Sequence, residues 1–301
     1  MKNLVQAIKH PSKVIGFLLR RISPLIPSDE VYLKIDYFVN RGRKLNLEHP
    51  VRMNEKLQWL KLNSFKKHHT LMVDKYECKK LVGDIIGEKY IIPTLGIWNS
   101  FDEIDFDKLP KQFVLKCTHD SGGLVICKDK SLFDKKTAKR KIEKSLKRNF
   151  YYWHRERPYK DVPHRIIAEK YLEDESGWQL KDYKIFCFNG EPKFIEVDYD
   201  RYVDHKLNVY DLNWNFVDFY MTSRNDTSIN IERPAKLGEM LQLAKNLAKD
   251  EIFVRVDFYS IGDSIYFGEM TYCPGGGIID FHPDEYDTIV GKMLKLPIDN
   301  S

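Results

Sequence analysis

One segment, residues 253–277, constrains the fold of this chain more than any other. It reads as two apolar strands joined by a tight turn and followed by a glycine run. Each strand carries one carboxylate among apolar neighbours, Asp257 on the first and Glu269 on the second. An unpaired buried carboxylate is costly or neutralises itself. Two that face each other repel unless a cation lies between them. The pair is therefore a candidate divalent-metal site, and Mg²⁺ held by one or two carboxylates usually comes with substrate phosphates.

Strand alternation makes this testable. Phe253, Arg255 and Asp257 share one face of the first strand. Ile265, Phe267, Glu269 and Thr271 share a face of the second. The two acids meet only if the loop holds an odd number of residues. A five-residue loop, 259–263, satisfies this and pairs Asp257 with Ile265.

The rest of the chain fits a folded, water-soluble protein. It has 301 residues, 43% hydrophobic and 31% charged, enough for one large domain or two to three small ones. The net charge of +5 suits anionic ligands and does not require nucleic acid. The five cysteines are odd in number and show no CxxC spacing, which reads as free thiols in a reducing cytoplasm. No stretch reaches the roughly 18 apolar residues of a membrane span. Residues 1–27 mix Lys2, Lys9, Lys13, Arg20 and Arg21 with apolar residues. Two readings stand for them: an amphipathic helix packed on the body, or a basic helix on the inner face of an anionic membrane.

Patterning divides the chain into a helical segment (1–70) and two mixed units (71–165 and 166–301). Asn54 caps a helix over 55–62, and 74–87 forms another. Strands are expected at 90–93, 113–117, 124–128 and 165–172. Hairpins follow at 182–188/193–197, across a 189–192 loop, and at 207–212/215–219. Helices are expected at 134–149 and 233–249. Strand pairs with tight turns, mixed with helices, indicate an α+β fold with antiparallel sheets.

Several residues stand out chemically. Lys116 shares a strand face with Val114 and precedes the turn 118–123, which contains Gly122 and Gly123. It is a phosphate grip or part of a solvated face, and the segment alone does not choose. Asp182 and Lys184 repeat the pattern on a later strand. Glu169 ends an apolar strand, where backbone groups can read an adenine edge. Two anionic metal ligands, two lysines and a glycine turn are the equipment for holding a nucleoside triphosphate.

The order of these pieces resembles the ATP-grasp superfamily, and its TupA-like (teichuronopeptide biosynthesis) branch in particular. The resemblance rests on residues 54–60, 109–116, 167–172 and 182–190, with Asp257, Glu269 and Pro274-Gly275 after them. It implies two α+β subdomains whose antiparallel sheets clamp ATP. Lys75 and Lys116 would reach the phosphates, under a mobile loop of Ser121, Gly122 and Gly123. Glu169 would accept from the adenine amine, Lys170 and Leu172 would offer backbone contacts, and Asp182 would sit near the ribose. Asp257, Glu269 and Thr271 would hold Mg²⁺; Thr271 stands where the family usually has asparagine. Arg255, Arg201 and Lys184 would serve catalysis. The implied activity is an ATP-dependent carboxylate–amine ligase that passes through an acyl phosphate, joining an amino acid to a uronic acid of a surface polysaccharide. The alternative is a glycosyltransferase using Asp198-Tyr199-Asp200 as a DxD motif.

Overall fold

A computed structural model describes residues 11–174, 180–199 and 205–300. Two antiparallel sheets organise them. The first has four strands, β1 (Thr94–Trp98), β2 (Phe113–Cys117), β3 (Leu124–Cys127) and β4 (Ile166–Lys170), in the order β1-β4-β2-β3. β2 alternates buried and half-buried residues, so Phe113, Leu115 and Cys117 face the core while Val114 and Lys116 face away. That core is closed by the helix Lys135–Leu146 through Ala138 and Ile142. β4, expected to open the unit 166–301, pairs instead with β1 and β2.

The second sheet contains β5 (Asp182–Phe188), β6 (Glu191–Tyr199), β7 (Lys206–Tyr210), β9 (Phe253–Ile261) and β10 (Ser264–Thr271), in the order β10-β9-β5-β6-β7. A short β8 (Tyr220–Met221) lies outside it and pairs with β11 (Phe281–His282). Cross-strand partners share a face, so register alone sorts the side chains. One face carries Ile185, Ile195, Val254 and Val256 and packs on the amphipathic helix Leu237–Ala248.

The opposite face is divided along the strand direction. At one end Phe186, Phe188, Phe194 and Phe253 form a core with the helix Met53–Asn63. At the other end the partners are all polar: Asp182 with Asp198, Lys184 with Glu196, Lys184 with Asp257, and Asp257 with Glu269.

Several expectations change. The 189–192 loop is only two residues, Asn189 and Gly190, at φ 49° and 83°. Asn-Gly adopts the turn whose twist matches a hairpin, so β6 begins at Glu191. Residues 88–90 form a 3₁₀ turn, and the strand starts at Thr94. The 207–212/215–219 hairpin reduces to one bridge between Tyr210 and Phe216. Asn54 lies inside its helix, not at the cap. It is fully buried, accepting from the Ile279 amide at 2.7 Å and donating to the Ile279 carbonyl at 2.8 Å.

Candidate functional site: a cleft between two oppositely charged walls

The hairpin that carries the two carboxylates does not form the expected five-residue loop. Ile261 pairs directly with Ser264, leaving a two-residue turn at Gly262-Asp263. That even loop alone would put Asp257 and Glu269 on opposite faces. A β-bulge between Phe267 and Glu269 corrects the parity, and Asp257 faces Glu269 as its direct partner. Ile265 and Phe267 consequently belong to the helix-side core, while Glu269 and Thr271 turn to the polar face. Gly268 fills the bulge because a Cβ there would lie 3.1 Å from the Asp257 carbonyl oxygen.

The cation between the two acids in this arrangement is Arg255, the cross-strand partner of Thr271. Its guanidinium donates to both Asp257 oxygens at 2.7 and 2.5 Å, to Glu269 at 3.1 Å and to Thr271 at 3.0 Å. Burial pushes the Asp257 carboxyl up against the pull of Arg255. Burial also opposes ionisation of Glu269, but Lys75, Arg255, Lys116 and Lys184 together hold its carboxyl below the usual range.

Beside this group, Lys184 donates to Glu196 at 3.0 Å and to Asp198 at 2.5 Å. His205 reaches Asp198 at 3.2 Å. Asp198, the first acid of the DxD motif, is thus built into the same polar face, and Asp200 lies outside the described residues.

The other wall comes from the four-stranded sheet and the helix Glu77–Ile86. Lys116 pairs with Glu169 at 2.6 Å and Lys79 pairs with it at 2.5 Å. Glu169 is 4% exposed. Burial opposes its ionisation, but Lys116 and Lys79 overcome this and hold its carboxyl at about 2. Burial likewise works against the Lys116 charge, and Glu169 more than offsets it, raising the ammonium above its usual range. Lys75 donates to the Asp120 carbonyl at 2.8 Å.

Asp120 braces the glycine turn. Its carboxylate accepts from the Gly123 amide at 3.2 Å, from Arg148 at 3.1 Å and from the Ser145 hydroxyl. Gly122 sits at φ 103°, a conformation that glycine adopts without strain.

Between the walls lies a cleft of about 410 Å³. Of the residues singled out by sequence, Lys75, Lys116, Ser121, Gly122, Gly123, Glu169, Asp182, Lys184, Arg255 and Glu269 line it. Asp257 is 1% exposed, and it and Thr271 lie beyond Arg255. Lys170 is exposed and Leu172 half-buried, and neither lines the cleft. The Glu169 carboxylate, expected to meet an adenine amine, meets two lysines. Arg201 lies outside the described residues.

Sequence reasoning missed Lys79, Asp120 and Glu196. Lys79 had a signal, since on the helix expected over 74–87 it follows Lys75 by one turn, although the helix itself begins at Glu77. Glu196 and Asp198 alternate with apolar residues on a strand opposite Asp182 and Lys184.

The donors of the acidic wall are oxygens apart from the His205 imidazole at its edge, and the carboxylates outnumber the cations. Those residues fit a hard divalent ion such as Mg²⁺. A second cluster, His68, His69 and Glu251, also has metal-type ligands. There the His69 Nδ1 accepts from the Lys66 amide at 3.2 Å, so Nε2 carries the proton it shares with Glu251 at 3.0 Å. That tautomer leaves His69 no lone pair for a metal.

Residues 55–295 match the TupA-like ATP-grasp family. The chain belongs to that family. Its two antiparallel sheets around a charged cleft are the ATP-grasp α+β architecture, with a helical segment ahead of them. Among solved structures, the chain is similar to D-alanine–D-alanine ligase from Bacillus anthracis complexed with ATP (19% identity, 67% of this chain and 54% of that one, TM-score 0.38). It is similar to the Helicobacter pylori D-alanine–D-alanine ligase (20%, 75% and 62%, TM-score 0.36). A third is the ADP complex of purK, N5-carboxyaminoimidazole ribonucleotide synthetase (14%, 73% and 50%, TM-score 0.40). The chain spans roughly half to three fifths of the length of these proteins. No match was found among curated proteins. Among the described residues, no helix of this TupA-like protein is long and apolar enough to cross a membrane.

Proposed function

We propose that the protein is an ATP-dependent carboxylate–amine ligase. The observation that carries this reading is the opposition of charge across the cleft: lysines in excess on one wall, carboxylates in excess on the other. An anionic triphosphate with a divalent cation matches both.

In this reading Lys75, Lys116 and Lys79 receive the phosphates, with the amides of the Ser121–Gly123 turn over them. Glu169 keeps the two lysines apart and charged. Asp257, Glu269 and the Thr271 hydroxyl would hold Mg²⁺, which supplies charge neutralisation at the phosphate oxygens. Lys170 and Leu172, outside the cleft lining, would meet the base only through their backbone groups, and Asp182, which lines the cleft, would face the ribose.

A substrate carboxylate oxygen attacks the γ-phosphorus and ADP leaves. Arg255, which lines the cleft between the two acids, would orient the acyl phosphate. An amine then attacks the acyl carbon, phosphate leaves and an amide forms. Positioning and charge neutralisation are the protein's contribution. Lys184 keeps Glu196 and Asp198 in place beside that group. Arg201 is a further candidate for the substrate carboxylate. The resemblance of the chain points to a uronic acid of a surface polysaccharide as the carboxylate and an amino acid as the amine, in the cytoplasm.

The test is incubation with ATP, Mg²⁺, a uronate and a mixture of amino acids. The expected result is release of ADP and phosphate only when both acceptors are present, with an amide product by mass spectrometry. Release of UDP or GDP from a nucleotide sugar, without ATP consumption, would overturn the reading.

A further inference from the structure

The helix Pro11–Ile22 and its neighbour Asp29–Arg41 carry a surface that the cleft does not use. Their packing is already complete. Leu19, Tyr32, Leu33, Tyr37 and Leu45 form a buried cluster of their own. The pair is also fastened to the body. Arg155, 3% exposed, donates to Asp29 at 3.0 Å and to the Ile26 carbonyl at 2.8 Å. Arg41 donates to Asp280 and Asp284, each at 2.9 Å.

Yet large apolar side chains remain outside. Val14, Ile15, Phe17, Leu18 and Ile22 on the first helix are 37–54% exposed. Leu25, just after it, is 81% exposed. Val31, Ile35 and Phe38 make a row at helical spacing on the second, 40–57% exposed. Nine of the nineteen exposed large apolar residues among the described ones thus fall within positions 14–38. Single exposed apolar residues are ordinary, but a concentration of this kind marks a contact surface.

Charge decides the partner. The sequence before Asp29 holds Lys2, Lys9, Lys13, Arg20 and Arg21 and no acid. Arg21 lies over the Phe17 ring at 4.7 Å, setting cation and apolar side chain side by side. A second copy would bring like charges together, whereas an anionic bilayer offers opposite charge above and hydrocarbon below.

The geometry points to this two-helix surface as a docking site for an anionic membrane, on which the helices lie without crossing it. The inference is independent of the proposed chemistry, since none of these residues lines the cleft.

The test is co-sedimentation of the full chain with vesicles of equimolar phosphatidylglycerol and phosphatidylcholine, against vesicles of phosphatidylcholine alone. Partition onto the anionic vesicles is expected to be at least about tenfold higher and to weaken as salt rises. Phe17→Glu with Leu18→Glu is expected to remove binding without changing the unfolding temperature, because both side chains are exposed. Lys13→Glu with Arg21→Glu, which keeps the apolar row, is expected to weaken it several-fold. Equal partition onto both vesicles, or binding unchanged in the Phe17/Leu18 variant, would overturn the inference. So would a lipid-free dimer of the full chain that this variant converts to monomer, because a second copy would then be the occupant.

Discussion

The two walls of the cleft solve the same problem in opposite ways. On the four-stranded side, Lys79 and Lys116 hold the carboxylate of Glu169, and Lys75 stands with them in the cleft lining, on the Asp120 carbonyl. On the five-stranded side, five carboxylates, Asp182, Glu196, Asp198, Asp257 and Glu269, share Lys184 and Arg255. Neither wall is neutral by itself. Buried like charges are costly, so each wall would be stabilised by a ligand of the opposite sign. A ligand that presents phosphate to the first wall and a metal ion to the second would relieve both costs at once. The charge imbalance is also felt across the gap, because Lys75 and Lys116 help to keep Glu269 ionised.

The largest expected effect separates the walls most clearly. Glu269→Gln removes a cleft-lining carboxylate of the acidic wall, and ATP turnover should fall about a hundredfold or more while nucleotide still binds. Turnover close to that of the parent protein would break the assignment of that wall to the metal.

Lysines of the two walls should then differ. Lys116→Met should weaken ATP binding by about ten- to a hundredfold in a calorimetric titration. Lys184→Met should weaken it much less, since Lys184 belongs to the opposite wall and sits among its carboxylates, Glu196 and Asp198. Equal losses would mean that both lysines meet phosphate.

Glu169 sharpens the comparison through stability. Its carboxyl is held at about 2 against an ordinary 4.5. Because the folded state favours the ionised form, this contribution is complete above 4.5 and is lost as pH falls toward 2. At about 1.36 kcal/mol per unit it amounts to roughly 3 kcal/mol. Urea unfolding near neutral pH should show Glu169→Gln less stable by about that amount, with the difference from the parent protein shrinking in acid. A constant difference down to that acid range would show that the lysines do not depend on the carboxylate.

The smallest effect tests the bulge. Gly268→Ala should destabilise the hairpin by about 1 kcal/mol, because the added Cβ meets the Asp257 carbonyl at 3.1 Å. Turnover should drop with it if the bulge sets how the two acids face each other.

Much of this contrast is legible in the sequence. Asp257 and Glu269 stand out as the one carboxylate on each of two otherwise apolar strands, and Lys116 by its alternation with Phe113 and Leu115. The hairpin loop is instructive because its expected length is wrong for a sound reason. Side-chain parity is the right constraint, but a backbone insertion at Gly268 satisfies it in place of loop length. A glycine inside a strand is the available signal. Arg255 reads from its position as a catalytic arginine, and its role in separating the two acids depends on the partner strand delivering Thr271 opposite it. The engagement of Glu169 by two lysines depends on helix and strand meeting in space. Asn54 has the residue type of a cap. Its buried bonds to Ile279 come from a contact 225 residues away, which local pattern does not carry.

At the centre of this account, the cleft takes a triphosphate and a divalent cation together. Calorimetric titration of the protein with a non-hydrolysable ATP analogue, with Mg²⁺ and then with EDTA, tests it directly. Binding at least about tenfold tighter with Mg²⁺ is the result the two walls require. Equal affinity under both conditions, or no binding under either, would contradict it.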